Sequence, residues 1–210
     1  MRFNNRILTL TFLFLCLVYQ NVCGQQSNAV TLYSLEDGLP SRQILDVASD
    51  HNGFLWLATP NGLSRFDGYD FLTFDKVNST ELVDHHILSL IASDRTLWLA
   101  TRSGLFSFDL VTYRVSKVIG SEMEVRNLFV DSHQKIWFED SKGNVNRVEE
   151  EKARQIQVHT NYPWTRSEVN SLNSFGEDEV GVWWGRLDGS IHRWAHQSKA
   201  IEIVQDGRIL

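Results

Sequence analysis

The chain has 210 residues, with 26 acidic and 20 basic side chains and a formal charge of −6. An acidic balance spread along the chain lacks the basic footprint that nucleic acid or anionic lipid requires, so neither is expected as a partner. Its apolar content of 42% is ordinary for a globular domain, and the length suffices for one domain with a real core.

The first element is a leader. Met1 to Arg6 carries two arginines and no acid, and Ile7 to Tyr19 is an almost unbroken apolar run. Val22-Cys23-Gly24 offers small or tolerated residues for cleavage between Gly24 and Gln25, which is the layout of a secretory signal peptide over residues 1–24. The run is shorter than the ~20 residues of a membrane span. Lipid attachment at Cys23 is the weaker alternative, because Val22 stands where such signals usually carry Gly or Ala. Both cysteines, Cys16 and Cys23, leave with the leader, so an exported chain from Gln25 onward relies on its core alone.

Residues 25–43 read as a lead strand, Val30 to Ser34, followed by a linker. A repeat then begins. Ile44 to Ala48 is a strand, Asp50-His51-Asn52-Gly53 a turn, Phe54 to Thr59 an apolar strand, and Pro60-Asn61-Gly62 a second turn. Leu63 to Phe66 and Tyr69 to Phe74, joined by Asp67-Gly68, complete a four-strand meander. The second unit repeats it from Ile87, with a tighter first turn at Asp94-Arg95 and the same Trp-Leu-Ala-Thr-x-x-Gly-Leu run. The third keeps Trp137 and Gly143 but has Glu139-Asp140 in place of Ala-Thr. The fourth runs from Val169 through Trp183 to Gly189 and Trp194.

Four tryptophans thus recur, Trp56, Trp98, Trp137 and Trp183, each six residues before a glycine: Gly62, Gly104, Gly143 and Gly189. The Trp-to-Trp intervals are 42, 39 and 46 residues. A period of roughly 40–50 residues built from short strands predicts an all-β protein of propeller blades, each with four antiparallel strands. The unit boundaries fall near 44–84, 85–120, 121–166 and 167–210. Recurrence at one strand position assigns Trp56, Trp98 and Trp137 to the core, whereas Trp164, Trp184 and Trp194 lie outside it and are freer to contact a ligand.

The stretch from Tyr33 to Phe74 resembles a two-component regulator propeller. It carries Asp37-Gly38-Leu39-Pro40, then Asp50-x-x-Gly53-x-x-Trp56-x-Ala58-Thr59, then Gly62-Leu63-x-Arg65-Phe66-Asp67-Gly68. The second unit is similar and the later ones partly so, to roughly Val204. The resemblance implies a non-catalytic, periplasmic sensor region of Bacteroidetes hybrid histidine kinases, which respond to oligosaccharides. It also implies that this chain is the front portion of a longer protein: such proteins add further blades, a membrane span and a kinase, none of which is legible here. The partners it implies are those remaining blades or domains, or a second copy meeting open blade faces, with an oligosaccharide as ligand. The alternatives are a secreted protein-binding scaffold, a truncated product, or a closed four-blade ring. No ligand-binding residue is carried over.

Sharper chemistry finds little support. Ser49 to Trp56 approaches the Asp-box of sialidase propellers, yet His51 stands where that motif needs its aspartate. Neither His85-His86 nor the pair His192 and His196 has a cysteine or carboxylate at ligand spacing, so solvated histidines and no metal are expected. Asn78-Ser79-Thr80 has meaning as a glycosylation site only in a eukaryotic secretory route. No catalytic residue and no cofactor are predicted.

Overall fold

A computed structural model describes residues 30–205, apart from positions 76, 78, 80, 81, 83, 120–122, 150–151, 156–171 and 187–188. The leader reading, with Gly24 and Gln25, lies outside the described residues, as does Trp164.

Among the described residues, sixteen strands form four antiparallel sheets, each a meander in chain order. The first blade contains β1 (Asp46–Ser49), β2 (Leu55–Thr59), β3 (Gly62–Phe66) and β4 (Phe71–Phe74). The second contains β5 (Ile87–Ser93), β6 (Thr96–Thr101), β7 (Gly104–Asp109) and β8 (Val115–Ile119). The third contains β9 (Val125–Val130), β10 (Ile136–Asp140), β11 (Val145–Glu149) and β12 (Lys152–Gln155). The fourth contains β13 (Leu172–Glu177), β14 (Gly181–Arg186), β15 (Ile191–Ala195) and β16 (Ala200–Gln205). The protein is all-β, and its sheets are propeller blades. Successive blades meet through their first strands, with β5 lying against both β1 and β9 and β9 meeting β13.

Each interface between blades has its own apolar cluster. Blades one and two share Trp56, Ala58 and Leu63 with Leu97, Leu99, Phe106 and Phe108. Blades two and three share Ala100 and Leu105 with Val125, Ile136 and Phe138, and Trp98 packs at the margin. Blades three and four share Trp137 and Val145 with Val182, Trp184 and Trp194. Alternate side chains of a strand point to opposite faces, so each central blade contributes one set of residues to each neighbour. In β6, Leu97 and Leu99 face back to blade one while Ala100 faces forward to blade three. This explains the continuous apolar runs of the second strands.

Three sequence expectations need correction. Val30 to Ser34 is not a strand. Ser34 instead caps a short 3-10 turn, Leu35–Asp37: its Oγ accepts from the Glu36 amide, while the Asp37 carboxylate accepts from the Ser34 amide at 2.7 Å. Gly38 then reverses the chain with φ +102°, and Tyr33 packs edge-on against Phe66 and Phe71. Second, Trp98 is only half-buried, whereas Trp184 and Trp194, expected to be freer, are core residues. The reason is parity: Trp184 and Trp194 lie on the face of blade four that meets blade three. Third, His192 is no solvated loop residue. It is buried on β15, stacked on the Trp184 ring at 5.8 Å, with Nε2 3.0 Å from the Ser190 hydroxyl.

Candidate functional site

In blades one, three and four the recurrent tryptophan meets an aspartate that heads the preceding turn. In blade one the Asp50 Oδ1 accepts from the amides of Asn52 (2.8 Å) and Phe54 (3.2 Å), and Oδ2 accepts from Trp56 Nε1 at 2.9 Å. In blade three Asp131 does the same: Oδ1 accepts from His133 and Lys135, and Oδ2 from Trp137 Nε1 at 2.8 Å. Both carboxylates and both indoles are buried. A buried indole N–H needs an acceptor, and a side-chain oxygen whose partner is already fixed by two backbone amides is pre-positioned for it. The Asp-x-x-x-x-x-Trp spacing is thus the sequence signal of this lock. In blade four the turn is one residue shorter, and the Trp183 indole, at Asp178, holds that carboxyl below the usual carboxylate range. Backbone amides do the same for two turn aspartates elsewhere: Asp70 and Tyr69 at Asp67, Thr112 and Val111 at Asp109.

The glycine six residues after each tryptophan serves two different turns. In blades one and two, Thr59 and Thr101 close two-residue hairpins. Each hydroxyl donates to the carbonyl of Gly62 or Gly104 and accepts from the amide of Asn61 or Ser103. Gly62 has φ +141°, and a Cβ there would stand 2.4 Å from the Phe74 carbonyl oxygen. In blades three and four, Gly143 (φ +77°) and Gly189 (φ +82°) are left-handed residues of longer turns begun by Asp140 and Arg186. The common spacing conceals this difference, because glycine is required in both for unrelated reasons.

An arginine stands opposite the tryptophan on the adjacent strand in three blades: Arg65 beside Trp56, Arg147 beside Trp137, and Arg193 beside Trp183. In blade two the position is Ser107. Where a following blade is present, the Trp–Arg pair receives its aromatic residue. Arg65 donates to the Tyr113 hydroxyl, with the Tyr113 ring 6.5 Å from Trp56. Arg147 lies 5.2 Å over the Trp194 ring, itself 6.1 Å from Trp137. In blade four Arg193 stacks on its own Trp183 at 4.8 Å, as Arg147 does on Trp137, and pairs with Glu202. Trp183 is half-buried and belongs to none of the three clusters. The far face of blade one is apolar by contrast, with Val47 and Leu55 exposed beside Phe66 and Phe71.

One of the histidines set aside as solvated, His196, has other surroundings than the sequence suggests. His196, which has no carboxylate close in sequence, lies 3.1 Å from Glu177 Oε1, and its ring is 4.9 Å from that of His133. Sequence reasoning missed this group, since 44 residues separate His133 from Glu177.

Residues 38–61, which span the turn at Gly38 through β2, match the model of the two component regulator propeller family. The resemblance read from the sequence is therefore borne out over that stretch. No curated protein sequence matches the chain. Among solved structures, the extracellular domain of BT3049 from B. thetaiotaomicron, described as a hybrid two component system, superposes with a TM-score of 0.62 at 18% identity. The match covers 83% of this chain and 26% of that one. The extracellular domain of BT4673 from the same organism gives 0.63 at 17%, covering 84% and 27%. PorZ of Porphyromonas gingivalis, a surface component of the type-IX secretion system, gives 0.61 at 15%, covering 82% and 24%. At these identities the likeness concerns the fold. The chain spans about a quarter of the length of each of these structures. Among the described residues, no helix is long and apolar enough to cross a membrane.

Proposed function

We propose that this chain is a non-catalytic sensor segment: blades of an exported, periplasmic propeller that takes part in ligand detection by a two-component regulator. The observation that carries the reading is the family match over residues 38–61. The extracellular propellers of B. thetaiotaomicron with the same fold support it. An oligosaccharide is the ligand class that the family resemblance implies. The far faces of blades one and four, one apolar and one presenting Trp183, Arg193 and Glu202, are where further blades of the propeller would pack.

The test is genetic. Deleting residues 33–205 from the gene in its native host should abolish transcription induced by one member of an oligosaccharide panel and leave growth on glucose intact. Unchanged induction across the panel would remove the signalling role. The fold likeness to PorZ favours a second reading, a surface scaffold that binds protein. A secretion or surface-assembly defect in the same deletion strain, with induction intact, would select that reading.

A further inference from the structure

We propose that His133, Glu177 and His196 form a divalent transition-metal site, suited to zinc, that fastens the third blade to the fourth. Their ligand atoms all lie within 4.8 Å of one another. Each comes from a separate, well-defined place. His133 sits in the β9–β10 turn, whose shape Asp131 fixes by accepting the His133 amide at 2.9 Å. Glu177 is the last residue of β13. His196 follows β15, with its amide bonded to the Val180 carbonyl at 2.9 Å.

The carboxylate is already oriented. Ser132, in the same turn as His133, donates its amide to Glu177 Oε2 at 2.7 Å and its hydroxyl to Oε1 at 2.9 Å. Outer contacts of this kind hold a metal-binding carboxylate in place before the ion arrives. One His, one Glu and a second His make a mixed nitrogen–oxygen set of the type zinc takes with a fourth position left to water. Calcium, which takes six to eight oxygens, finds one carboxylate here and is disfavoured. Zinc–ligand bonds of about 2.0 Å imply ligand atoms roughly 3.3 Å apart. His133 is exposed and His196 partly so, so ring rotation can close the remaining distance. The bond from His196 to Glu177 would be exchanged for two bonds to the ion.

The site also has a physical role. Blade three and blade four meet through Trp137, Trp184 and Trp194, and the three ligands add a tie at the edge of that interface. The test uses the full chain, stripped by chelator and titrated with zinc chloride alone. Calorimetry should give one zinc per chain, and the melting temperature should rise with zinc concentration. His133→Ala/His196→Ala should lower the affinity at least tenfold while the apo melting temperature stays close to wild type. Glu177→Gln, which keeps an acceptor for Ser132, should lower it tenfold as well. Cobalt substitution should give the intense visible bands of a tetrahedral site in the wild type and not in the double variant. Absence of stoichiometric binding overturns the proposal, and so does binding that survives in the double variant.

Discussion

The lock between Asp131 and Trp137 gives the sharpest quantitative expectation. Asp131→Ala removes the acceptor of a fully buried indole and of two turn amides. Stranding a buried N–H costs about 1–3 kcal/mol. The amides of His133 and Lys135 lie at an exposed turn and regain water, so their loss adds only about 1 kcal/mol. The single variant should therefore lose about 3 kcal/mol. Trp137→Phe keeps most of the ring but removes the donor and leaves a small void, for about 2–3 kcal/mol. Removing both partners strands neither, so the double variant should fall short of the summed losses by about 1.5–2 kcal/mol. Urea unfolding followed by near-ultraviolet circular dichroism measures all four corners of the cycle. The equivalent pair, Asp50 with Trp56, should show a coupling of the same sign. Additive losses, within about 0.5 kcal/mol, would refute the claim that the carboxylate serves the indole.

Two further expectations concern the turns. Gly62→Ala should destabilise by about 3 kcal/mol, through a left-handed φ and a Cβ 2.4 Å from a carbonyl oxygen, whereas Gly53→Ala, at φ +84° with open space, should cost about 1 kcal/mol; equal chemical midpoints for the two would contradict this. Hydrogen bonds hold the carboxyls of Asp67, Asp109 and Asp178 below their usual values, so their contribution is present above an unfolded pKa of about 3.9 and is lost as pH falls through the lower folded values. The stability gap between wild type and the triple Asp→Asn variant should be constant from neutrality to about pH 5 and close in more acidic solution; a gap that narrows between pH 7 and pH 5 would show that other groups are responsible.

How much of this was legible in the sequence depends on which interactions are local. The Asp-to-Trp spacing, the hairpin threonines and the turn glycines act within a few residues of one another, so the pattern from Asp50 to Gly68 reveals one blade almost atom for atom. Burial is different. The local pattern marks Trp98 as core and leaves Trp184 outside, yet Trp184 lies on the face of blade four that meets blade three and is buried. Reading parity could have supplied it: Val182, Trp184 and the β15 residues opposite them alternate with Trp183, and one of the two faces had to meet blade three.

The repeat also explains why the most idiosyncratic chemistry of the molecule was hidden. A propeller repeats its backbone, so equivalent rim positions of successive blades are neighbours in space though some 40 residues apart in the chain. Side chains at such positions are free of the packing that holds Trp137 or Leu97 in place, and they vary from blade to blade. His133 has the turn position that His51 sits next to in blade one, and in blade three the following blade places Glu177 and His196 within reach. A pattern search along the chain averages such positions away, because it rewards what the blades share. Distinct function in a repeat fold resides where the copies differ across one interface.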